Sequence, residues 1–181
     1  QKDRHARFSN AIRSPLALRL PLFDPDRFLE RTMGMARLFL NMPVALAALA
    51  IVVWAVVLAF TSWRELTENL ADRILVMENV LAFWLIYPAV KVLHEFGHAY
   101  AVKRWGGEVH EMGVMFIVFM PIPYVDASAA SAFRSRWKRI VVGASGIAIE
   151  LVIASVAMIL WTRLEAGAAR AIAFNTMMIA G

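Results

Sequence analysis

Seventeen consecutive apolar residues run from Val44 to Phe60, behind Pro43 and ahead of Trp63. That length crosses the hydrocarbon of a bilayer as a helix, so a span is predicted over 43–62. A second apolar stretch, Val80 to Val102, carries only Lys91, His94, Glu95 and His98 as charged or imidazole side chains. It predicts a span over 80–104, with Pro88 kinking it or loosening one backbone hydrogen bond. Trp105-Gly106-Gly107 ends it. A third span is predicted over 140–162, where Gly143 and Gly146 permit close helix packing. Ala171–Phe174 and Met177–Ala180 begin a fourth, over 166–181, which reads as unfinished.

The intervening segments differ in pattern. Leu16, Leu18 and Leu20 alternate with Ala17 and Arg19, consistent with a short strand. Asp24-Pro25 reads as a helix start, Asp at the N-cap and Pro at the first position. The segment to about residue 40 mixes Phe28, Leu29, Met33, Leu38 and Phe39 with Arg27, Arg31 and Arg37. It reads as a basic amphipathic helix, lying on the membrane surface or docked on another domain. Residues 61–79 are polar and acidic and belong outside the hydrocarbon. Met112–Val125 is apolar but only fourteen residues long, rich in β-branched and aromatic residues, and broken by Gly113, Pro121 and Pro123. That pattern favours a hairpin or re-entrant loop over 108–126. Asp126 to Lys138 reads as a short interfacial helix capped by Asp126.

The fold class expected is an all-α polytopic membrane protein. It has three complete transmembrane helices, a truncated fourth, and a short re-entrant β-hairpin after the second. Residues 1–42 form a basic cytoplasmic segment and 43–181 the membrane core. Composition agrees: 60% of residues are apolar and the mean hydropathy is +0.60, which excludes an ordinary soluble domain. With no cysteine, there is neither a disulfide framework nor a thiolate metal site.

The net charge of +5 is unevenly placed. Residues 1–42 carry eight Lys and Arg, and Lys103, Arg104, Arg134, Arg136, Lys138 and Arg139 add six. These fourteen mark the cytoplasmic side, so the second span runs outward to inward and 105–139 leaves and returns on one side. The basic residues thus orient the chain against a lipid bilayer, and no nucleic-acid partner is expected. A chain that begins with Gln1 and ends inside an apolar helix reads as a fragment, with further domains or partner proteins expected beyond both termini.

The second span contains His94-Glu95-Phe96-Gly97-His98, an H-E-x-x-H. Four His and nine Glu in 181 residues give roughly 0.004 such matches by chance. On a helix, residues four apart share a face, so His94 and His98 can grip one metal ion while Glu95 stands beside them as a base. Imidazole and carboxylate donors suit Zn2+ better than magnesium or calcium. The bland alternative is two buried helix histidines bonded to neighbours. Counting from Arg104, His98 lies ~9 Å and His94 ~15 Å below the cytoplasmic surface. Ionisable groups at such depth are functional candidates.

A motif of this kind on a membrane span, followed by an apolar hairpin and a Gly-containing span, resembles the site-2 protease family of intramembrane zinc metalloproteases. The similarity covers roughly residues 80–165. More narrowly, L-H-E-F-G-H-A, W-G-G-E-V-H-E-M-G-V-M, P-I-P-Y-V-D-A-S and F-R-S-R-W-K-R resemble the bacterial branch of peptide zinc metalloproteases, as does P-L-F-D-P-D-R-F-L near the start. The resemblance implies a bacterial inner-membrane enzyme with its active site near the cytoplasmic face. It implies His94 and His98 as zinc ligands, Glu95 as catalytic base, and membrane or peptide substrates. It also implies a third ligand, an Asp followed by Gly, and this sequence contains no Asp-Gly. Helical substrates are shielded, and an unwound one in lipid strands its polar backbone. An exposed edge of the 109–125 hairpin offers strand addition. The alternatives are a non-proteolytic membrane scaffold or peptide-export component with an incomplete site, and a metal transporter, which would need ligands on several spans.

Other polar groups have plainer readings. Lys91 is ~20 Å deep and Glu150 ~16 Å from Arg139, similar depths that predict an ion pair between spans, structural or functional. Glu150 is also weighed as a stand-in for the third ligand. His110 is read as a surface loop or strand residue, Tyr87 as packing on the His94 face, and Met112, Met115 and Met120 as core or lipid-facing.

Overall fold

In a computed structural model the described residues are 17–68, 77–117 and 120–181. Most are helical. Strand β1 (Ala17–Phe23) precedes α1 (Asp26–Phe39), α2 (Met42–Thr61), the short α3 (Trp63–Thr67) and α4 (Met77–Arg104). Then come β2 (Met112–Ile117), β3 (Met120–Val125), a 3-10 turn (Ser128–Ala132), α5 (Arg136–Arg163) and α6 (Ala168–Ala180). Two of these helices, α2 and α5, are long and apolar enough to cross a membrane. Helix α4 has the length, 28 residues, but Lys91, His94, Glu95 and His98 interrupt its apolar run. Helix α6 is apolar over 13 residues.

The chain divides into two compact units, one of residues up to Gly34 with Glu95–Ser145, the other of Met35–His94 with Gly146–Gly181. In the first unit the three strands form one antiparallel sheet, ordered β1-β2-β3. The hairpin expected over 108–126 is present, and β1 adds a third strand to it. Gly113 permits that addition. A Cβ there would lie 2.1 Å from the Leu20 carbonyl oxygen and 2.9 Å from Pro21 Cα, so only glycine lets β1 approach this closely.

The core of this unit gathers Leu29 of α1, Ala99, Ala101 and Val102 of α4, Val109, and Val142 of α5. Phe96, Tyr100, Trp105 and Phe133 pack around it. Helix α1 starts as its sequence dictates: Asp24 Oδ1 accepts from the Asp26 amide at 2.9 Å. Asp26 then ties three segments together, accepting from Lys103 Nζ at 2.8 Å and from the Val109 amide at 2.9 Å. The expected helix over 126–138 is instead the 3-10 turn, and α5 begins at Arg136. Asp126 does accept from the Ser128 amide, at 2.9 Å, but the bond closes a local turn that Phe133 leaves in extended conformation.

In the second unit, Asn41 caps α2, its Oδ1 accepting from the Val44 amide at 3.0 Å, with Pro43 in the first turn. Helix α2 is apolar on every side, yet only Ala55 is buried. Leu46, Leu49, Val53, Trp54, Val57 and Phe60 stand exposed. A helix hydrophobic all round and uncovered by protein is stable facing lipid rather than water. Its one buried position joins a cluster with Met158, Trp161, Ala173 and Phe174. Arg170 lies over the Trp161 ring, 4.6 Å from its centroid, and reaches Glu65 at 2.5 Å. A second cluster packs Val90, Ala154 and Ala180.

Candidate functional site

Helix α4 is unbroken from Met77 to Arg104, so His94 and His98 stand one turn apart on one face with Glu95 beside them. Each imidazole has a polar oxygen beside its Nδ1. His94 Nδ1 lies 3.2 Å from Glu150 Oε1. His98 Nδ1 lies 2.6 Å from the Val142 carbonyl oxygen and 3.3 Å from Ser145 Oγ. Ser145 is itself held by that carbonyl, donating to it at 2.7 Å. A carbonyl can only accept, so the proton of neutral His98 sits on Nδ1 and the lone pair on Nε2. The Glu150 carboxylate beside His94 Nδ1 favours the same tautomer there, by proximity and charge rather than by an aligned hydrogen bond. That is the arrangement in which histidines ligate metals, one nitrogen to the ion and the other to an outer acceptor.

The carboxylate of Glu95 is fixed by the sheet. Its Oε2 accepts from the Val125 amide at 3.0 Å. The register explains why that amide faces outward. The Asp126 amide bonds to the Glu111 carbonyl, toward β2, so Val125, Pro123 and Pro121, on the alternate positions, turn theirs away. Two of those three have no N–H to offer. The outer edge of β3 therefore presents carbonyls, and its single amide belongs to Glu95. Pro123 is buried as well. The exposed hairpin edge anticipated for strand addition is thus short of donors and partly covered on β3.

Lys91 and Glu150 form the ion pair that their similar depth predicted, Nζ to Oε1 at 2.5 Å. Lys91 Nζ also lies 5.8 Å from the centre of the Tyr87 ring, which gives that aromatic a contact beyond packing. Among the described residues, no group of three His, Cys, Asp or Glu is placed to hold a metal ion. Glu150 meets His94 at Nδ1, the ring edge opposite Nε2, so it is placed as an outer acceptor rather than a third ligand.

His110 is exposed, in keeping with a surface position, and bridges two carboxylates: Nδ1 to Asp24 at 3.1 Å and Nε2 to Glu108 at 3.0 Å. Glu108 and then Asp24 raise its pKa above the usual histidine value. The Asp26 amide and His110 lower that of Asp24. Met112 is core.

Sequence reasoning passes over Ser145, the Val142 carbonyl and the Val125 amide. None carries a motif, and each matters through backbone placement. Comparison with curated proteins and with solved structures gives no match. The model of the family described as peptidase family M50 matches residues 81–179, which takes in nearly all of α4, strands β2 and β3, helix α5 and most of α6. With more than half its length matched, the chain belongs to peptidase family M50, the site-2 protease family.

Proposed function

We propose that this chain carries the catalytic helix of an intramembrane zinc metalloprotease, with His94 and His98 as zinc ligands through Nε2 and Glu95 as general base. The carrying observation is the pair of imidazoles one turn apart, His98 with Nδ1 on the Val142 carbonyl and His94 with Nδ1 beside the Glu150 carboxylate. The donor chemistry fits zinc, which when bound supplies a Lewis acid that polarises water and the peptide carbonyl. The resemblance implies an Asp preceding Gly as third ligand, a pair this sequence does not contain.

The protein's own residues do the rest. Glu95 takes a proton from the attacking water and returns it to the leaving amine nitrogen. The Val125 amide holds its carboxylate in place meanwhile. A membrane-spanning α4 is set apart from bulk water, and in this reading the water consumed enters from the cytoplasmic side, the side favoured for the near end of α4 by the distribution of Lys and Arg. The reading has three complete spans, α2, α4 and α5, in a bacterial cytoplasmic membrane.

A substrate peptide drawn alongside β3 meets carbonyls only. Its own N–H groups find acceptors there, while its carbonyls gain no partner from Pro121 or Pro123. That leaves the scissile carbonyl to the site. Glu95→Gln tests the assignment: cleavage of a membrane substrate falls by at least ~10²-fold while bound zinc is retained. Retained proteolysis would refute the role of Glu95.

A further inference from the structure

Two side chains of the second unit, Lys91 and His94, converge on one oxygen of a third, Glu150. Glu150 Oε1 lies 2.5 Å from Lys91 Nζ and 3.2 Å from His94 Nδ1. The glutamate is only 13% exposed. A lysine and a glutamate that merely neutralised each other would need no third group at this oxygen. Helix α4 makes the convergence possible, because Lys91 and His94 are three residues apart and share a face. Glu150 reaches both from α5.

We propose that Glu150 is a positioning residue for metal binding. It accepts the Nδ1–H of His94, fixes the ring's rotation and tautomer, and directs the Nε2 lone pair to the metal. Lys91 anchors the carboxylate in turn, so the lysine acts on the site at one remove. The inference rests on the proposed function above. It gives His94 the kind of support that His98 receives from the Val142 carbonyl and Ser145. Loss of such an outer partner weakens metal affinity by about 10- to 100-fold.

The test uses the full-length protein in lipid nanodiscs, with zinc affinity measured by chelator competition and folding by thermal melting. The double variant Lys91→Met/Glu150→Leu removes both charges and strands neither. It is expected to melt near the wild type and to bind zinc about 10- to 100-fold more weakly. Wild-type affinity in that variant would overturn the inference. An arm without substitution covers failure of the variant to fold. In the metal-free wild type, 15N spectra of labelled histidine are expected to place the neutral His94 proton on Nδ1, and a proton on Nε2 would equally overturn it. His94→Ala separates the two levels. If it binds zinc like the wild type, the proposed function itself fails. If it loses zinc while the double variant does not, only the role of Glu150 fails.

Discussion

The backbone amide of Val125, the last residue of β3, donates to Oε2 of Glu95 in α4 at 3.0 Å. The contact joins the end of a small sheet to the acid at the centre of the H-E-x-x-H. Because this amide points away from β2, its removal costs the sheet no ladder bond. Val125→Pro is therefore expected to leave zinc content and melting close to wild type while lowering kcat by roughly 10-fold, as the carboxylate loses its anchor. Unchanged turnover would show that Glu95 is oriented by something else.

Gly113 is the point at which β1 meets the hairpin. Gly113→Val places side-chain atoms where Leu20 and Pro21 already stand. A destabilisation of about 1–3 kcal/mol is expected from the overpacking, read by thermal melting. Protection of β1 amides in hydrogen exchange should fall with it. Normal protection of β1 in the variant would contradict the pairing of Leu20 and Pro21 with β2.

Asp26 is buried enough for its ionisation to matter. Burial raises its pKa, but hydrogen bonds from Lys103 and the Val109 amide outweigh that, and the net shift is downward. A depressed carboxyl pKa adds stability above the ordinary Asp value, and that stability is lost as pH falls through the folded value. Asp26→Asn should cost about 1–3 kcal/mol at neutral pH. It should also flatten the acid limb of a melting-temperature profile; an acid limb identical to wild type would exclude Asp26 as its source.

His110 works in the opposite sense. Glu108 and Asp24 raise its pKa, so its contribution is complete below the ordinary histidine value and fades as pH rises through the higher folded one. Melting temperature between about pH 6 and pH 9 should therefore decline more in the wild type than in His110→Gln. Parallel profiles would show that the two carboxylates do not act on this ring.

Much of the arrangement is legible in the chain because it depends on period and length. The helix bearing His94 and His98, the paired depth of Lys91 and Glu150, and the hairpin around Gly113, Pro121 and Pro123 all follow from spacing along one segment. What is not legible depends on how a helix is rotated or where a distant strand docks. Depth sets Glu150 level with Lys91 but does not show that its oxygen also meets His94. Alternation marks 16–20 as a strand without naming β2 as its partner. Asp126 has the residue type of a helix cap, but the bond it makes closes only a turn. The Val125 amide is invisible to any motif, since every residue but proline has one.

The two prolines on the outer side of β3 bear on how copies of this protein behave beside one another. Met112–Ile117 and Met120–Val125 are short, apolar and uncharged, the composition of segments that zip into intermolecular sheets. Crowding in a bilayer would favour such stacking. A neighbour arriving at β3 finds carbonyl acceptors but no hydrogens at Pro121 and Pro123, so it pairs through only part of the ladder and growth from this side is disfavoured.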